Sequence, residues 1–469
     1  MTKDITLYNT LGREKQPFTP MEDGHATVYA CGPTVYDYAH LGNLRNYVFN
    51  DLLHRVLRFA GYDVSIVINI TDVGHLTDDA DQGEDKMEKK SKEEDKDIWE
   101  LARHYEDVFK DDLSKLNILE PDRWPRATEH IDEQISLVED IESNGYAYET
   151  SDGLYFDTEK LEEYGELIPN FDPDDLDEGH RVDMKEKRSA TDFALWKKSG
   201  DRDRKMEWDS PWGKGFPGWH VECTAMGCEY LGDTFDIHTG GVDHIPVHHT
   251  NELAQARGAF GHRHADWWMH GEFLELKDGK MSKSKGDFLR LQSIDDEGYD
   301  PLDFRYLCLL TQYRKPLQFS WEALESARNT RLNIEDRLRE IQEQASGNGS
   351  VIADALRDFE DAVFDDLNIP GGVAVLHDVL DAEAEPADKL TTVYRFDEVL
   401  GLDFDSVEPY DIPDEVRDLA ELRQDLRDEE EYERADQLRD EIRSAGYVVE
   451  DAEDGFRIRP LPRHQSRGR

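Results

Sequence analysis

The chain has 469 residues, with 106 Asp and Glu against 55 Lys and Arg, and a formal net charge of −51 at pH 7. Hydrophobic residues make up 38% and aromatics 10%, enough apolar material for packed cores, which excludes wholesale disorder; the length fits two to four domains. Charge of this sign excludes simple electrostatic attraction to nucleic acid or to an anionic membrane. Two readings compete for the acid: a disordered acidic tail, or a globally acidic surface suited to molar salt, where the screening length falls to about 3 Å. Acidic residues run from Asp51 to Glu453, Arg outnumbers Lys, and no Lys follows Lys389. The second, halophilic reading fits that distribution. Only four cysteines occur, Cys31, Cys223, Cys228 and Cys308, far from a disulfide scaffold. Met1 to Thr10 has no apolar targeting core and no run reaches 18 apolar residues, so a soluble, cytoplasmic protein with no membrane partner is expected.

In chain order, Ala26 to Cys31 reads as a buried strand ended by Gly32-Pro33. Leu41 to Phe59 has helical apolar spacing, and Asp63 to Ile70 is a second β-branched strand. This β–loop–α–β unit predicts a parallel, doubly wound sheet. Asp78 to Asp97 is polar and highly charged; Ile98 to about Tyr148 is helical, broken at Pro121 and Pro125. About Ser151 to Gly213 is acid-rich and reads as an insertion on the sheet domain. Strand signal returns at Thr234 to Ile237 and Phe273 to Leu276. Trp321 to about Leu402 predicts a helix bundle with a break at Pro370-Gly371-Gly372. Two helices, Glu415 to Leu426 and Tyr432 to Arg443, and a hairpin turning near Asp454-Gly455 close the chain.

Three motifs carry chemistry. His40-Leu41-Gly42-Asn43 opens a helix beyond a parallel strand, where free N–H groups and the helix dipole favour phosphate; Gly42 allows close approach and His40 can donate to a phosphate oxygen. Lys280-Met281-Ser282-Lys283-Ser284-Lys285-Gly286 places three lysines on a glycine-flanked loop, able to neutralise charge on a leaving polyphosphate. Cys31, Cys223, His248 and Glu252 are candidate ligands, the last two spaced i, i+4; two thiolates, an imidazole and a carboxylate suit zinc. His249 or His244 remain alternatives to His248.

The first two motifs together resemble the HIGH and KMSKS signatures of class I aminoacyl-tRNA synthetases, with Asn43 in place of the last histidine. Across essentially the whole chain, CGPTVYDYAHLGN, NITDVGHLTDD, PGWHVEC, FDIHTGGVDHIPVHHTNE, KMSKS and YERADQLRDEIRSAGYVVED resemble the cysteinyl-tRNA synthetase family. That resemblance implies a Rossmann-like α/β catalytic core with an insertion, a helical bundle and a small C-terminal α+β anticodon-binding module. The segments it implies are 1–124 and 214–267 for the two catalytic halves, 125–213 for the insertion, 268–320 for a stem-contact region with the KMSKS loop, 321–405 for the bundle and 406–469 for the module. It implies activation of L-cysteine by ATP with Mg2+, transfer to tRNA(Cys), and a monomer. In catalysis it assigns His40, Asn43, Lys280 and Lys283. For ATP it adds Gly42, Gly240, Gly241 and Asp243; for cysteine it adds Gly32, Thr71 and Trp219. One zinc would be held by Cys31, Cys223, His248 and Glu252. Cysteine and serine are nearly isosteric, so a pocket alone separates them weakly. A borderline-soft zinc favours the thiolate, and roughly 5–6 kcal/mol of difference gives about 10⁴-fold selectivity. Cys228 and Cys308 are expected to be buried and without a role. The arginines of the tail, Arg457, Arg459, Arg463, Arg467 and Arg469, are candidates for RNA contact. A cysteine-adenylating ligase for small amines is the rival reading, disfavoured by the C-terminal module, as is a non-catalytic RNA-binding relative, disfavoured by the intact KMSKS loop.

Overall fold

The computed structural model describes residues 2–74, 86–171, 186–200, 204–277, 289–452 and 455–461. Lys280, Lys283, Arg463, Arg467 and Arg469 lie outside the described residues. Four parallel strands form the central sheet: β1 (His25–Ala30), β2 (Asp63–Ile68), β3 (Phe235–Gly241) and β4 (Ala265–Gly271), in the order β4-β3-β1-β2. Chain direction along the sheet reverses at β1, so the crevice beyond the ends of β1 and β3 is the switch point where such sheets bind ligands. Both faces are covered. On β1, Ala26, Val28 and Ala30 pack in one core with α1 (Leu41–Phe59), while Tyr29 and Cys31 point to a second core with α2 (Trp219–Leu231) and α3 (Thr250–Phe260). Period-2 alternation of strand side chains divides the two cores.

The insertion is an antiparallel four-stranded sheet, Ala147–Glu149, Gly153–Phe156, Phe193–Lys198 and Gly215–Pro217 in sequential order. Its last strand runs past the expected boundary at 213. Likewise β4 crosses the one expected at 267/268, because apolar Trp267-Trp268-Met269 continues the sheet rather than starting a new unit. Pro370 starts a helix instead of breaking one. Its fixed φ suits the first turn, and Asn368 caps Ile369–Asp381 by accepting from the Gly371 N–H. The bundle therefore has four helices, Trp321–Gln344, Ala353–Val363, Ile369–Asp381 and Pro386–Leu400. It shares one continuous apolar core with α1 and the sheet. The C-terminal helices Asp414–Asp428 and Tyr432–Ser444 and the hairpin Tyr447–Ala452/Gly455–Pro460 have a small core of their own around Val416, Ala420, Ile442 and Val449.

A buried carboxylate ties these parts together. Asp51, on α1, accepts from Arg55 Nε at 2.8 Å, Arg305 Nη2 at 2.5 Å and the Leu119 N–H at 2.8 Å. Arg305 is fully buried and also donates to the carbonyls of Leu400 at 2.8 Å and Leu116 at 2.9 Å. Burial opposes the charge on Asp51, yet the two guanidinium groups hold its pKa below the usual range. Removing one partner of such a pair leaves an uncompensated buried charge, at a cost of about 3–5 kcal/mol. Asp51→Ala is therefore expected to lower the unfolding free energy obtained from urea titration by about 3–5 kcal/mol; an unchanged unfolding free energy would show that water reaches Arg305.

Candidate active site

The end of β1, the start of α1 and the end of β3 converge at the sheet's switch point. His40 is the N-cap of α1: its Nδ1 accepts from the Asn43 N–H at 3.1 Å, and the Asn43 Oδ1 accepts from the His40 N–H at 3.2 Å. This reciprocal cap fixes Nδ1 as acceptor, and burial lowers the His40 pKa. The ring is thus neutral, with Nε2–H as its donor, and the Asn43 amide keeps its NH2 as donor. A Cβ at Gly42 would come within 3.0 Å of the His40 ring, so glycine here keeps the cap in place. Asp243 lies near enough to act electrostatically on His40. This brings the HLGN motif and the GGVD segment into one site. A Cβ on Gly241 would meet Asp243 Oδ1 at 2.2 Å, and one on Gly240 would meet His244 Nδ1 and His249 Cε1 at 2.6 Å. The two glycines admit these side chains as well as any ligand.

Helix α1 also braces the chain on either side of residues 278–288. Arg45 donates to the carbonyls of Glu272 (2.6 Å), Phe273 and Lys315, and the Leu41 N–H donates to the Leu289 carbonyl at 2.8 Å. Arg290 stacks over Tyr38 at 4.2 Å.

Cys31, Cys223, His248 and Glu252, drawn from β1's end, α2 and the turn entering α3, are all buried. One ligand atom of each lies within 4.8 Å of the others. His248 and Glu252 do not sit on one regular α-helix as the spacing suggests. Ile245–His249 is a π-helical turn that passes into α3, and π turns recur at functional sites. His248 Nε2 and Glu252 Oε1 are nevertheless 3.0 Å apart. The other carboxylate oxygen, Oε2, is taken by His238 Nε2 at 2.8 Å, whereas Oε1 is buried and faces His248 Nε2 without a well-directed hydrogen bond. A second group, Cys31, His238, His249 and Glu252, is equally compact.

Electrostatics favour a cation here. Burial opposes ionisation of Glu252, but His238 and His248 hold its pKa well below the usual range. Burial likewise opposes protonation of His248, yet Glu252 and Cys223 push it up to about 10. The two thiols titrate together: a hydrogen bond from Cys31 lowers Cys223, while burial and Cys223 raise Cys31. A divalent cation would allow both thiolates to form, and the orphaned Oε1, two sulfurs and an imidazole make a donor set that fits zinc.

Trp219, first residue of α2, places its ring 4.5 Å from that of His248. Thr71 is buried, its Oγ1 accepting from Asn69 Nδ2 at 3.0 Å. Gly32, expected at the cysteine site, packs against Asn69. Its N–H donates to Asn69 Oδ1 at 2.7 Å, and a Cβ there would lie 1.5 Å from the Asn69 carbonyl oxygen. Its lack of a side chain lets β1's exit pass against Asn69. Cys308 is buried; Cys228 is only half-buried, and burial pushes both thiols up to about 12. Sequence reasoning overlooked Asn69, His220, His238 and His270. The clue was present: 7 of the 17 histidines fall between His238 and His270.

A parallel sheet with a capped HLGN helix at its switch point defines a class I aminoacyl-tRNA synthetase core. Residues 17–329 match the family model described as tRNA synthetases class I (C) catalytic domain, and residues 410–459 match the cysteinyl-tRNA ligase anticodon binding domain. The chain belongs to the cysteine–tRNA ligase family. It is 51% identical to cysteine–tRNA ligase 1 of Burkholderia lata over 97% of this chain and 96% of that one. It is 43% identical to the cysteine–tRNA ligase of Treponema denticola over 95% and 98%. Among solved structures, methionyl-tRNA synthetase of Mycobacterium tuberculosis bound by methionyl-adenylate superposes with a TM-score of 0.54 at 18% identity, covering 81% of this chain and 90% of that one, a likeness of fold.

Proposed function

We propose that this chain joins cysteine to tRNA(Cys) in two steps, using ATP as its magnesium complex. The observation that carries the reading is a buried thiol-rich cation site 4.5 Å, ring to ring, from Trp219, beside a phosphate-binding helix start. The cysteine carboxylate attacks the α-phosphate of ATP, forming cysteinyl-adenylate and releasing pyrophosphate. A hydroxyl of the tRNA 3′-terminal adenosine then attacks the acyl carbon and releases AMP. His40 Nε2–H, the Asn43 amide and the first N–H groups of α1 donate to the phosphates. Lys280 and Lys283 neutralise the charge that develops on pyrophosphate. Gly240, Gly241 and Asp243 receive the adenosine, and Trp219 and Thr71 bound the amino-acid pocket. Cys31, Cys223, His248 and Glu252 would hold zinc, which when bound ligates the substrate thiol as thiolate and so sets cysteine apart from serine. The C-terminal module reads the RNA. Arg457 and Arg459 are paired with Glu340, Glu450 and Asp336, so RNA binding there exchanges one set of ion pairs for another.

Cysteine-dependent ATP–pyrophosphate exchange, followed by charging of total tRNA, tests the activity. Absence of exchange would overturn it, and exchange without charging would favour the small-amine ligase. Cys223→Ser is expected to lose zinc and cysteine binding while keeping ATP binding; unchanged zinc content would refute the ligand set. The acidic surface is proposed to be adapted to salt, in a cytoplasmic protein; among the described residues no helix is long and apolar enough to cross a membrane. With a net charge of −51, self-repulsion is screened as KCl rises. The thermal midpoint should therefore climb between 0.1 and 2 M KCl (roughly a threefold or greater shortening of the screening length); a flat response would remove the halophilic reading.

A further inference from the structure

The metal cluster is reached by a hydrogen-bonded line of side chains from the N-terminal hairpin, Thr6–Asn9 paired with Glu14–Pro17. Thr10 leaves the first of these strands with its N–H bonded to the Trp268 carbonyl at 2.8 Å. Its Oγ1 lies 2.8 Å from His270 Nδ1, His270 Nε2 lies 2.8 Å from His249 Nδ1, and His249 Nε2 lies 3.3 Å from Cys31 Sγ. His249 and His270 are both buried, and each presents one ring nitrogen to either neighbour in the line. A neutral imidazole so placed has one donor and one acceptor nitrogen.

The two ends set the direction. With zinc bound Cys31 would be a thiolate, which can only accept, so His249 Nε2 carries the hydrogen and Nδ1 accepts. His270 must then donate from Nε2 and accept at Nδ1, and the Thr10 hydroxyl supplies that last hydrogen. His249 could instead ligate a cation itself. However, its Nε2 is nearer the sulfur, at 3.3 Å, than Glu252 Oε1, at 4.0 Å, the place of a donor to Cys31. Gly240 is part of the same arrangement, since a Cβ there would collide with the His249 ring.

We propose that Thr10 and His270 are positioning residues that fix the tautomer of His249, so that its Nε2–H donates to the Cys31 thiolate and tunes that ligand for the metal and for cysteine selection. The inference rests on the zinc reading above. Partners of this kind typically alter metal affinity by about 10–100-fold. Thr10 precedes the segment matched to the catalytic family model, residues 17–329, so this support comes from outside it.

The test compares the full chain with Thr10→Val and Thr10→Ser. Zinc affinity is read by chelator competition, and the Cys31 thiolate by the thiolate-to-metal charge-transfer band of the Co2+-substituted protein. Thr10→Val should bind zinc about tenfold more weakly, move the charge-transfer band to lower energy and raise KM for cysteine while leaving KM for ATP unchanged. Thr10→Ser, which keeps the hydroxyl, should match the parent in all three. A valine variant with the parent's affinity and spectrum overturns the proposal, as does a serine variant that behaves like valine. Should circular dichroism show that Thr10→Val does not fold, His270→Phe carries the same readouts and the same expected loss. A parent chain that binds no zinc would instead refute the metal reading itself.

Discussion

The architecture hangs on the charge buried at Asp51. Taking a carboxylate and two guanidinium groups out of water is costly, and is tolerated only when their hydrogen-bonding capacity is met. Here Arg305 reaches the carbonyls of Leu116 and Leu400, Arg55 reaches that of Asn117 at 2.7 Å, and Asp51 takes the Leu119 N–H. One cluster thereby fixes α1 against the segment after helix Ile98–Lys115 and against the last helix of the bundle. Since α1 begins with the HLGN cap and carries Arg45, the capped helix start and the segments flanking residues 278–288 take their position from the same anchor.

The opposite face of the sheet solves a different problem. Thiols, imidazoles and a carboxylate crowd into a dry space, and neutral contacts alone do not satisfy them: Glu252 Oε1, His238 Nδ1 and both nitrogens of His264 have no hydrogen-bond partner. Such groups are expensive to bury in an apolar setting. Their concentration at the sheet's switch point is the observation on which the proposed site for a sulfur-bearing substrate rests.

Much of this was legible in the sequence where the signal is local. Helix α1 spans Leu41–Phe59 as its spacing and cap foretell, and β1 and β2 differ from expectation only at their ends. The Cys31–Cys223–His248–Glu252 grouping was legible through chemistry and family resemblance, and the four residues are brought together. What was not legible depends on contacts between distant residues. Asp51 and Arg305 are 254 positions apart, and nothing in either neighbourhood marks the pair. The π turn at Ile245–His249 leaves no periodic trace in the sequence. Nothing in the sequence around Gly32 marks Asn69, against which it packs. Net charge misled most, because it averages over a surface while binding depends on local groups.

The division of apolar cores has a consequence for how the molecule comes apart. The catalytic sheet and the bundle share one core, so they should open as a single cooperative unit, with amide protons exchanging together. The C-terminal module has a core of only Val416, Ala420, Ile442 and Val449 with a few half-buried neighbours. It meets the bundle through polar contacts: Arg457 with Glu340, Arg459 with Asp336, and Arg339 with Tyr410. Its local opening free energy is expected at the low end of the range, and ions that screen the surface should also weaken its attachment. The C-terminal module is thus expected to exchange its amide protons ahead of the catalytic sheet and bundle.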